Sequence, residues 1–164
     1  MKLIEVYLDN CTGCRCCEMV CSLQHEQECS ASRSRIKILR DEEFGKHAVL
    51  LCMQCADTPC IKSCPVEALH RDEKTGAILV DNESCNGCEA CVVACPLDVI
   101  TVNRERNVAF VCDLCGGDPE CVKICNRKAL LLNEVDPASP ARKSFIEETS
   151  RLLLKMREIS RASR

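Results

Sequence analysis

Large aromatic side chains are scarce in this sequence: it has one Tyr, three Phe and no Trp in 164 residues. So few large side chains predict a thin apolar core, because aromatic residues bury the most surface per residue. Bound metal can supply the missing cohesion, since the free energy of metal binding becomes free energy of folding.

Segments typical of export or membrane insertion are also lacking. The first ten residues, MKLIEVYLDN, contain one early lysine followed by acidic residues, without an apolar segment or a small-residue cleavage site. There is no twin-arginine pair, and no apolar run approaches the length that spans a bilayer. We therefore expect a cytoplasmic protein without direct membrane insertion, in which thiols stay reduced. Export together with a signal-bearing partner stays open as an alternative.

The motifs of common catalytic sites are missing as well. The sequence has no Gly-rich phosphate loop, no dinucleotide fingerprint and no nucleophile–base arrangement. We therefore expect no catalytic residues in this chain.

Cysteine, by contrast, is abundant, with 18 copies. In a reducing compartment, dense cysteine more often indicates metal binding than disulfides. Sixteen of the cysteines fall into four motifs: motif I, Cys11-x2-Cys14-x2-Cys17-x3-Cys21; motif II, Cys52-x2-Cys55-x4-Cys60-x3-Cys64; motif III, Cys85-x2-Cys88-x2-Cys91-x3-Cys95; and motif IV, Cys112-x2-Cys115-x5-Cys121-x3-Cys125. Cys16 and Cys29 are left over.

The spacing within each motif is typical of [4Fe–4S] ligation. Three closely spaced thiolates can wrap around one cubane, while the x3-Cys step turns the fourth thiolate towards a neighbouring cluster. Pro65 and Pro96 end that turn in motifs II and III. Zinc is the main alternative, because two C-x2-C pairs also form a tetrahedral site. Zinc sites use pairs of cysteines, however, and not repeated groups of three plus one.

Short strands are predicted between the motifs. The candidate segments are 2–9, 35–40, 47–52, 75–81, 99–103, 107–112 and 128–134. Segments 35–40 and 47–52 should form a hairpin with Gly45 in its turn. Strands that alternate with short helical turns predict an α+β fold, in which a ferredoxin-like module wraps around its clusters.

A linker, DPASP at 136–140, precedes a predicted amphipathic helix. Ser144 and Glu147 are spaced as a capping box at the helix start, and Glu147 with Arg151 forms an i, i+4 ion pair. The predicted buried face contains Phe145, Ile146, Thr149, Leu152, Leu153, Met156 and Ile159. Amphipathicity does not choose between packing on the cluster domain and docking to a partner subunit, so both remain open.

The four motifs in this order resemble the four-cluster electron-transfer subunits found beside molybdenum and tungsten oxidoreductases, hydrogenases and carbon monoxide dehydrogenase. The phrases CTGCRCCEMVCSLQHE, CMQCADTPCIKSCPVEAL, VDNESCNGCEACVVACP and CDLCGGDPECVKIC are similar to the small iron–sulfur subunit of aldehyde:ferredoxin-oxidoreductase-type tungsten enzymes. That group includes the tungsten-dependent class II benzoyl-CoA reductase of anaerobes. The resemblance spans about residues 3–134.

The resemblance implies two ferredoxin-like halves, formed by motifs I with IV and II with III, which exchange their last cysteines. It implies a four-cluster module at 1–134, followed by a linker and a docking helix at 135–164. Four ligand sets follow, which we label site A (Cys11, Cys14, Cys17, Cys125), site B (Cys112, Cys115, Cys121, Cys21), site C (Cys52, Cys55, Cys60, Cys95) and site D (Cys85, Cys88, Cys91, Cys64).

The function that the resemblance implies is electron relay without bond chemistry. Four [4Fe–4S] clusters would connect a large tungsten or molybdenum pterin subunit, of the aldehyde oxidoreductase or benzoyl-CoA reductase type, with a ferredoxin, a flavoprotein or a further redox subunit. A free-standing polyferredoxin and a subunit of a hydrogenase or carbon monoxide dehydrogenase are the alternatives. The formal charge of −3 becomes more negative with anionic clusters, which disfavours nucleic-acid partners.

Asn126 departs from the family pattern, and Cys16 and Cys29 are additional to it. Asn126 follows motif IV where proline is frequent. Cys16 is adjacent to Cys17 and competes with it for the third ligand position. Cys21, His25 and Cys29 lie four residues apart and could share one face of a helix. In one interpretation Cys16 and Cys29 are buried thiols and His25 is structural; in the other, Cys16, His25 and Cys29 help to hold zinc near motifs I and IV.

Overall fold

The computed structural model describes the backbone of residues 1–41 and 46–162, and the side chains of residues 1–40, 47–151, 153 and 154. Gly45, predicted in the turn of the first hairpin, lies outside the described residues. No described helix combines the length and hydropathy needed to cross a bilayer.

The described residues form eight strands, paired two by two, and five α-helices. The strands are β1 (Lys2–Val6), β2 (Ile36–Asp41), β3 (Lys46–Leu51), β4 (Leu69–Arg71), β5 (Ile78–Val80), β6 (Thr101–Asn103), β7 (Val108–Phe110) and β8 (Leu130–Glu134). The helices are α1 (Cys16–Glu26), α2 (Pro59–Lys62), α3 (Ala90–Ala94), α4 (Glu120–Lys123) and α5 (Pro140–Ala162). All four strand pairs are antiparallel.

Strand pairing joins the two ends of the cluster-binding region. Strand β1 pairs with β8, from Lys2 opposite Glu134 to Val6 opposite Leu130. The other pairs, β2–β3, β4–β5 and β6–β7, connect strands that follow each other in the sequence. The predicted strand positions are therefore confirmed, although β1 ends at Val6 and β5 begins only at Ile78.

The loops of motifs I and III have the same left-handed turns before their helices. Gly13 and Gly87 have φ angles of 64° and 68°, while Arg15 and Glu89, which precede α1 and α3, have φ angles of 64° and 62°. Left-handed conformations are unfavourable for residues with a Cβ. Two such turns within four residues curl each loop, so that its cysteines can face a common centre.

Helix packing brings the motifs together in two pairs. Helix α1, in motif I, packs against α4, in motif IV, and α2, in motif II, packs against α3, in motif III. The largest fully buried apolar side chains are Leu3, Ile4, Ile36, Leu51, Ile78, Leu114 and Leu130. Each contributes about 1.5–3 kcal/mol by burial, and buried cysteines make up much of the remaining core.

Helix α5 begins earlier than the capping box indicates. Pro140 is its first residue, in keeping with the preference of proline for the first helical position, and Ser144 already lies inside the helix. The predicted capping box is therefore wrong. The predicted i, i+4 pair is present, with 3.8 Å between Arg151 Nη2 and Glu147 Oε2. Leu153 is buried in the core, so this part of α5 packs on its own chain.

Candidate iron–sulfur centres

All eighteen cysteines lie within the described residues and are free thiols. Cavities and electrostatic contacts bring sixteen of them together in four groups. One cavity is lined by Cys11, Cys14, Cys17 and Cys125, together with Cys16. A second is lined by Cys52, Cys55, Cys60 and Cys95. These are the members of sites A and C.

Electrostatic contacts bring the members of sites B and D together. Burial raises the pKa of Cys121 most, and the charges of Cys112, Cys21 and Cys115, and last that of Cys17 in the neighbouring site A, raise it further. In site D, burial is again the main cause of the raised pKa of Cys91. The charges of the neighbouring Cys85, Cys64 and Cys88 raise this pKa further.

Sites B and C are in the interior of the protein. Burial raises the pKa of Cys112 to about 12 and that of Cys60 to about 11. The pKa of Cys52 is raised well above its ordinary value by burial and next by the charge of Cys112. Cys52 belongs to site C and Cys112 to site B. The side chain of Gln54, which follows Cys52 by two residues, donates to the Cys112 carbonyl at 2.8 Å, so the loops of the two interior sites are in contact.

Sites A and D each reach the surface. Cys14 of site A and Cys88 of site D are exposed. Sites A and B lie where α1 packs against α4, and sites C and D lie where α2 packs against α3. Cys125, Cys95 and Cys64 follow within two residues of the ends of α4, α3 and α2. The spatial order of the four sites is therefore A, B, C, D, with an exposed cysteine at each end.

Backbone N–H groups donate to sulfur atoms of sites B and D. The N–H of Arg35 lies 3.3 Å from Cys21 Sγ, that of Ala68 lies 3.3 Å from Cys64 Sγ, and that of Ala109 lies 3.5 Å from Cys85 Sγ. Hydrogen bonds to sulfur stabilise thiolates and are among the factors that set cluster potentials.

The donor chemistry of the four groups fits iron. A buried thiol with a raised pKa stays protonated at neutral pH, and a bound cation reverses that preference. Each group supplies four thiols, which is the number that a [4Fe–4S] cluster requires. In each motif the fourth cysteine, four residues after the third, lies near cysteines of another motif, an arrangement that an isolated zinc site does not need.

Cys16, Cys29 and His25, the residues considered as further ligands, lie in three different environments. Cys16 is exposed and borders site A, where its hydrogen bond with Cys14 raises its pKa. Cys29 is exposed beyond the end of α1. The expectation that Cys29 shares a helical face with Cys21 and His25 is wrong, because α1 ends at Glu26 and Gln27 is left-handed. The interpretation of Cys16 and Cys29 as buried thiols is also wrong.

His25 lies beside site B, where it contacts Cys115 and Asp113 and not Cys16 or Cys29. Its Nε2 atom is 3.6 Å from Cys115 Sγ and 3.5 Å from Asp113 Oδ1. Asp113 in turn accepts a hydrogen bond from Arg35 Nη1 at 2.6 Å. Burial lowers the pKa of His25, and the charge of Arg35 lowers it further. Among the described residues, His25, Asp113 and Cys115 form the one group with metal-ligand geometry that includes this histidine.

Two polar residues near the interior sites were missed by the sequence analysis. Gln54 is fully buried between Cys52 and Cys55, where its Nε2 donates to the Cys112 carbonyl at 2.8 Å and its Oε1 accepts from the Ile78 N–H at 2.7 Å. Arg142 of α5 is buried against the same loop. The position of Gln54 between Cys52 and Cys55 could have identified it as a candidate, because a polar residue there lies close to the site. No feature of the sequence identifies Arg142.

Comparison with known proteins gives consistent results. The 4Fe-4S dicluster domain family matches residues 44–135. The polyferredoxin-like subunit of the aliphatic sulfonate oxidoreductase of Pyrococcus furiosus is 47% identical over 119 residues, covering 72% of this chain and 68% of that protein. The thiosulfate reductase electron transfer subunit PhsB of Salmonella typhi is 32% identical, covering 77% of this chain and 72% of that protein.

Among solved structures, a chain of the active site complex BamBC of benzoyl coenzyme A reductase, in complex with benzoyl-CoA, superposes with a TM-score of 0.50 at 24% identity. The match covers 90% of this chain and 88% of that chain. The likeness confirms the predicted fold class, a ferredoxin-like α+β fold with a C-terminal helix. The cysteine motifs, the fold and these relatives together show that the chain belongs to the 4Fe-4S dicluster domain family of iron–sulfur electron-transfer proteins.

Proposed function

We propose that this chain is a non-catalytic subunit that relays electrons for an oxidoreductase through four [4Fe–4S] clusters. The proposed ligands are the sixteen cysteines of sites A to D. The main support is the spatial order of these sites, with two interior groups between two groups that reach the surface at Cys14 and Cys88. Such an order gives electrons an entry and an exit at the surface, with a buried pair of sites between them.

Each bound [4Fe–4S] cluster supplies one-electron redox chemistry. The chain's own residues hold and insulate these centres. Leu97, Val99 and Ile100, which are buried around site C, exclude water from it. The backbone N–H groups of Arg35, Ala68 and Ala109 donate to ligand sulfurs and favour their thiolate form.

We further propose that the partner is a large tungsten or molybdenum pterin subunit, and that a ferredoxin, a flavoprotein or another redox subunit exchanges electrons at the other end. The relatives include subunits of a sulfonate oxidoreductase and a thiosulfate reductase, and the fold matches a chain of the BamBC complex. We assign the protein to the cytoplasm of an anaerobe, because free thiols and iron–sulfur centres persist under reducing conditions.

In the proposed division of the chain, residues 1–134 form the four-cluster module and 135–164 the linker and docking helix. One observation favours the free-standing polyferredoxin as a second candidate. Phe145, Ile146 and Leu153 of α5 pack on the core of the same chain, so at least this part of the helix is not held in reserve for a partner. The exposed Leu154, with 57% of its surface accessible, leaves another face of α5 for docking.

Anaerobic purification from the native host, with iron, zinc, tungsten and molybdenum counted per chain, tests these proposals. We expect about sixteen irons per copy, with tungsten or molybdenum on a larger subunit that copurifies. Sixteen irons without a partner would favour the polyferredoxin. Fewer irons with stoichiometric zinc would contradict four [4Fe–4S] clusters, and turnover by the isolated chain would contradict a non-catalytic role.

A further inference from the structure

Arg142, in the first turn of α5, is one of the few buried charged residues, with 5% of its surface accessible. Its Nε and Nη2 atoms both donate to the Met53 carbonyl oxygen, at 3.0 Å and 2.7 Å. Met53 lies between Cys52 and Cys55, two of the proposed ligands of site C. The C-terminal helix therefore carries a cation into the loop that surrounds this site.

The guanidinium has no carboxylate in ion-pair contact within the described part of the chain. Burial lowers the pKa of Arg142, while the charges of Cys55, Glu5 and Cys52 raise it. An arginine nonetheless stays protonated, because its intrinsic pKa is so high. A buried charge is costly unless an opposite charge compensates it. The groups near Arg142 that can supply one are Glu5 and the thiols of Cys55 and Cys52, which become thiolates when they ligate a cluster.

The position of Arg142 in the first turn of α5 also favours an anionic partner. The N-terminus of a helix carries the positive end of its dipole, so a cation in the first turn is unfavourable. At Arg142 the side-chain charge therefore has the same sign as the helix end that carries it. An anionic centre at site C would be stabilised by the guanidinium, which reaches the loop between Cys52 and Cys55.

We propose that Arg142 is a redox-tuning residue for site C. Its charge stabilises the reduced state, which is the more negative one, and so raises the reduction potential of the cluster held by Cys52, Cys55, Cys60 and Cys95. This inference rests on the proposed function and on the ligand set of site C. It makes α5 part of the electron path's electrostatics, in addition to any role in docking.

The test uses the anaerobically purified full-length holoprotein and redox titrations of its clusters followed by electron paramagnetic resonance. Arg142→Gln removes the charge and keeps a hydrogen-bond donor. We expect one of the four potentials to fall while the iron content stays at the wild-type level. Arg142→Lys keeps the charge and should retain most of the wild-type potential.

Arg151→Gln is the matched control, because it removes the same charge from the same helix at a side chain with 74% of its surface accessible. We expect no shift in this variant, because solvent screens an exposed charge. Unchanged potentials in Arg142→Gln with full iron content would overturn the proposal. An equal shift in Arg151→Gln would also overturn it.

Glu5→Gln tests the same idea with the opposite sign. The Glu5 carboxylate accepts a hydrogen bond from Asn133 Nδ2 at 2.6 Å, which a glutamine oxygen can also accept. Removing this negative charge should raise the potential that Arg142→Gln lowers. If Arg142→Gln loses iron, this variant decides the question: a rise supports tuning by charge, and an unchanged potential refutes it. A wild-type protein without four titrating clusters would instead refute the proposed function itself.

Discussion

Replacing Gln54 by leucine tests whether one buried amide connects the loops of the two interior sites. Its side chain satisfies the Cys112 carbonyl and the Ile78 N–H, and Leu removes both partners while keeping a similar volume. Each buried polar group left without a partner costs about 1–3 kcal/mol. The two together cost about 2–6 kcal/mol, and the apolar surface that leucine buries returns part of this, so we expect a net loss of about 2–4 kcal/mol.

The assay is anaerobic guanidinium denaturation of the holoprotein, followed by circular dichroism and by the visible absorbance of the clusters. Cluster loss makes unfolding irreversible, so wild type and variants are compared by the denaturant concentration at half unfolding after identical incubation, and the expected loss of stability appears as a lower midpoint. Gln24→Leu is the control, since Gln24 is exposed on α1 and surface changes stay within about 0.5 kcal/mol. If Gln54→Leu unfolds at the same denaturant concentration as Gln24→Leu, the amide does not bridge the two loops and the reasoning is wrong.

Three further predictions concern the loops, the additional cysteines and the metal. In Gly87→Ala, the added Cβ would lie 2.6 Å from the Asn107 carbonyl oxygen, whereas Gly116 has a similar φ and open space around it. We therefore expect Gly87→Ala to lose iron. Gly116→Ala should cost only about 1–2 kcal/mol of stability in the same denaturation assay. Cys29→Ser should retain all iron and Cys88→Ser should lose it in part, as measured by iron analysis; equal iron in both would refute the assignment of site D. Removal of iron by an anaerobic chelator should abolish most of the cooperative unfolding transition, because the apolar core is thin and metal binding contributes folding free energy. An apoprotein that still unfolds cooperatively would contradict this.

The local features could be predicted because they depend on short-range rules. The spacing of each motif fixes how three thiols can surround one centre, and alternating apolar residues fix the strands at 35–40 and 47–52. The start of α5 was mispredicted, because Ser144 and Glu147 match a capping box while Pro140 offers an equally good first position four residues earlier. The extension of α1 to Cys29 failed for a similar reason: spacing by four does not show where a helix ends.

Gln54 and Arg142 show what local rules leave out. Both are polar residues whose burial depends on segments far away in the sequence: Gln54 bonds to the loop of motif IV, and Arg142 bonds to that of motif II. No pattern near either residue encodes these contacts. His25 is an intermediate case, since its type suggested a ligand but its partners, Asp113 and Cys115, come from the other end of the module.

By itself, the sequence determined the number and the three-plus-one spacing of the cysteines, the α+β chain of short elements and the scarcity of large side chains. The tertiary structure decided which motifs meet, which two sites are buried side by side, and which charges surround them. The physical reason is that cysteine spacing acts within one turn of the chain, whereas helix packing, burial and electrostatics bring together residues from opposite ends of it.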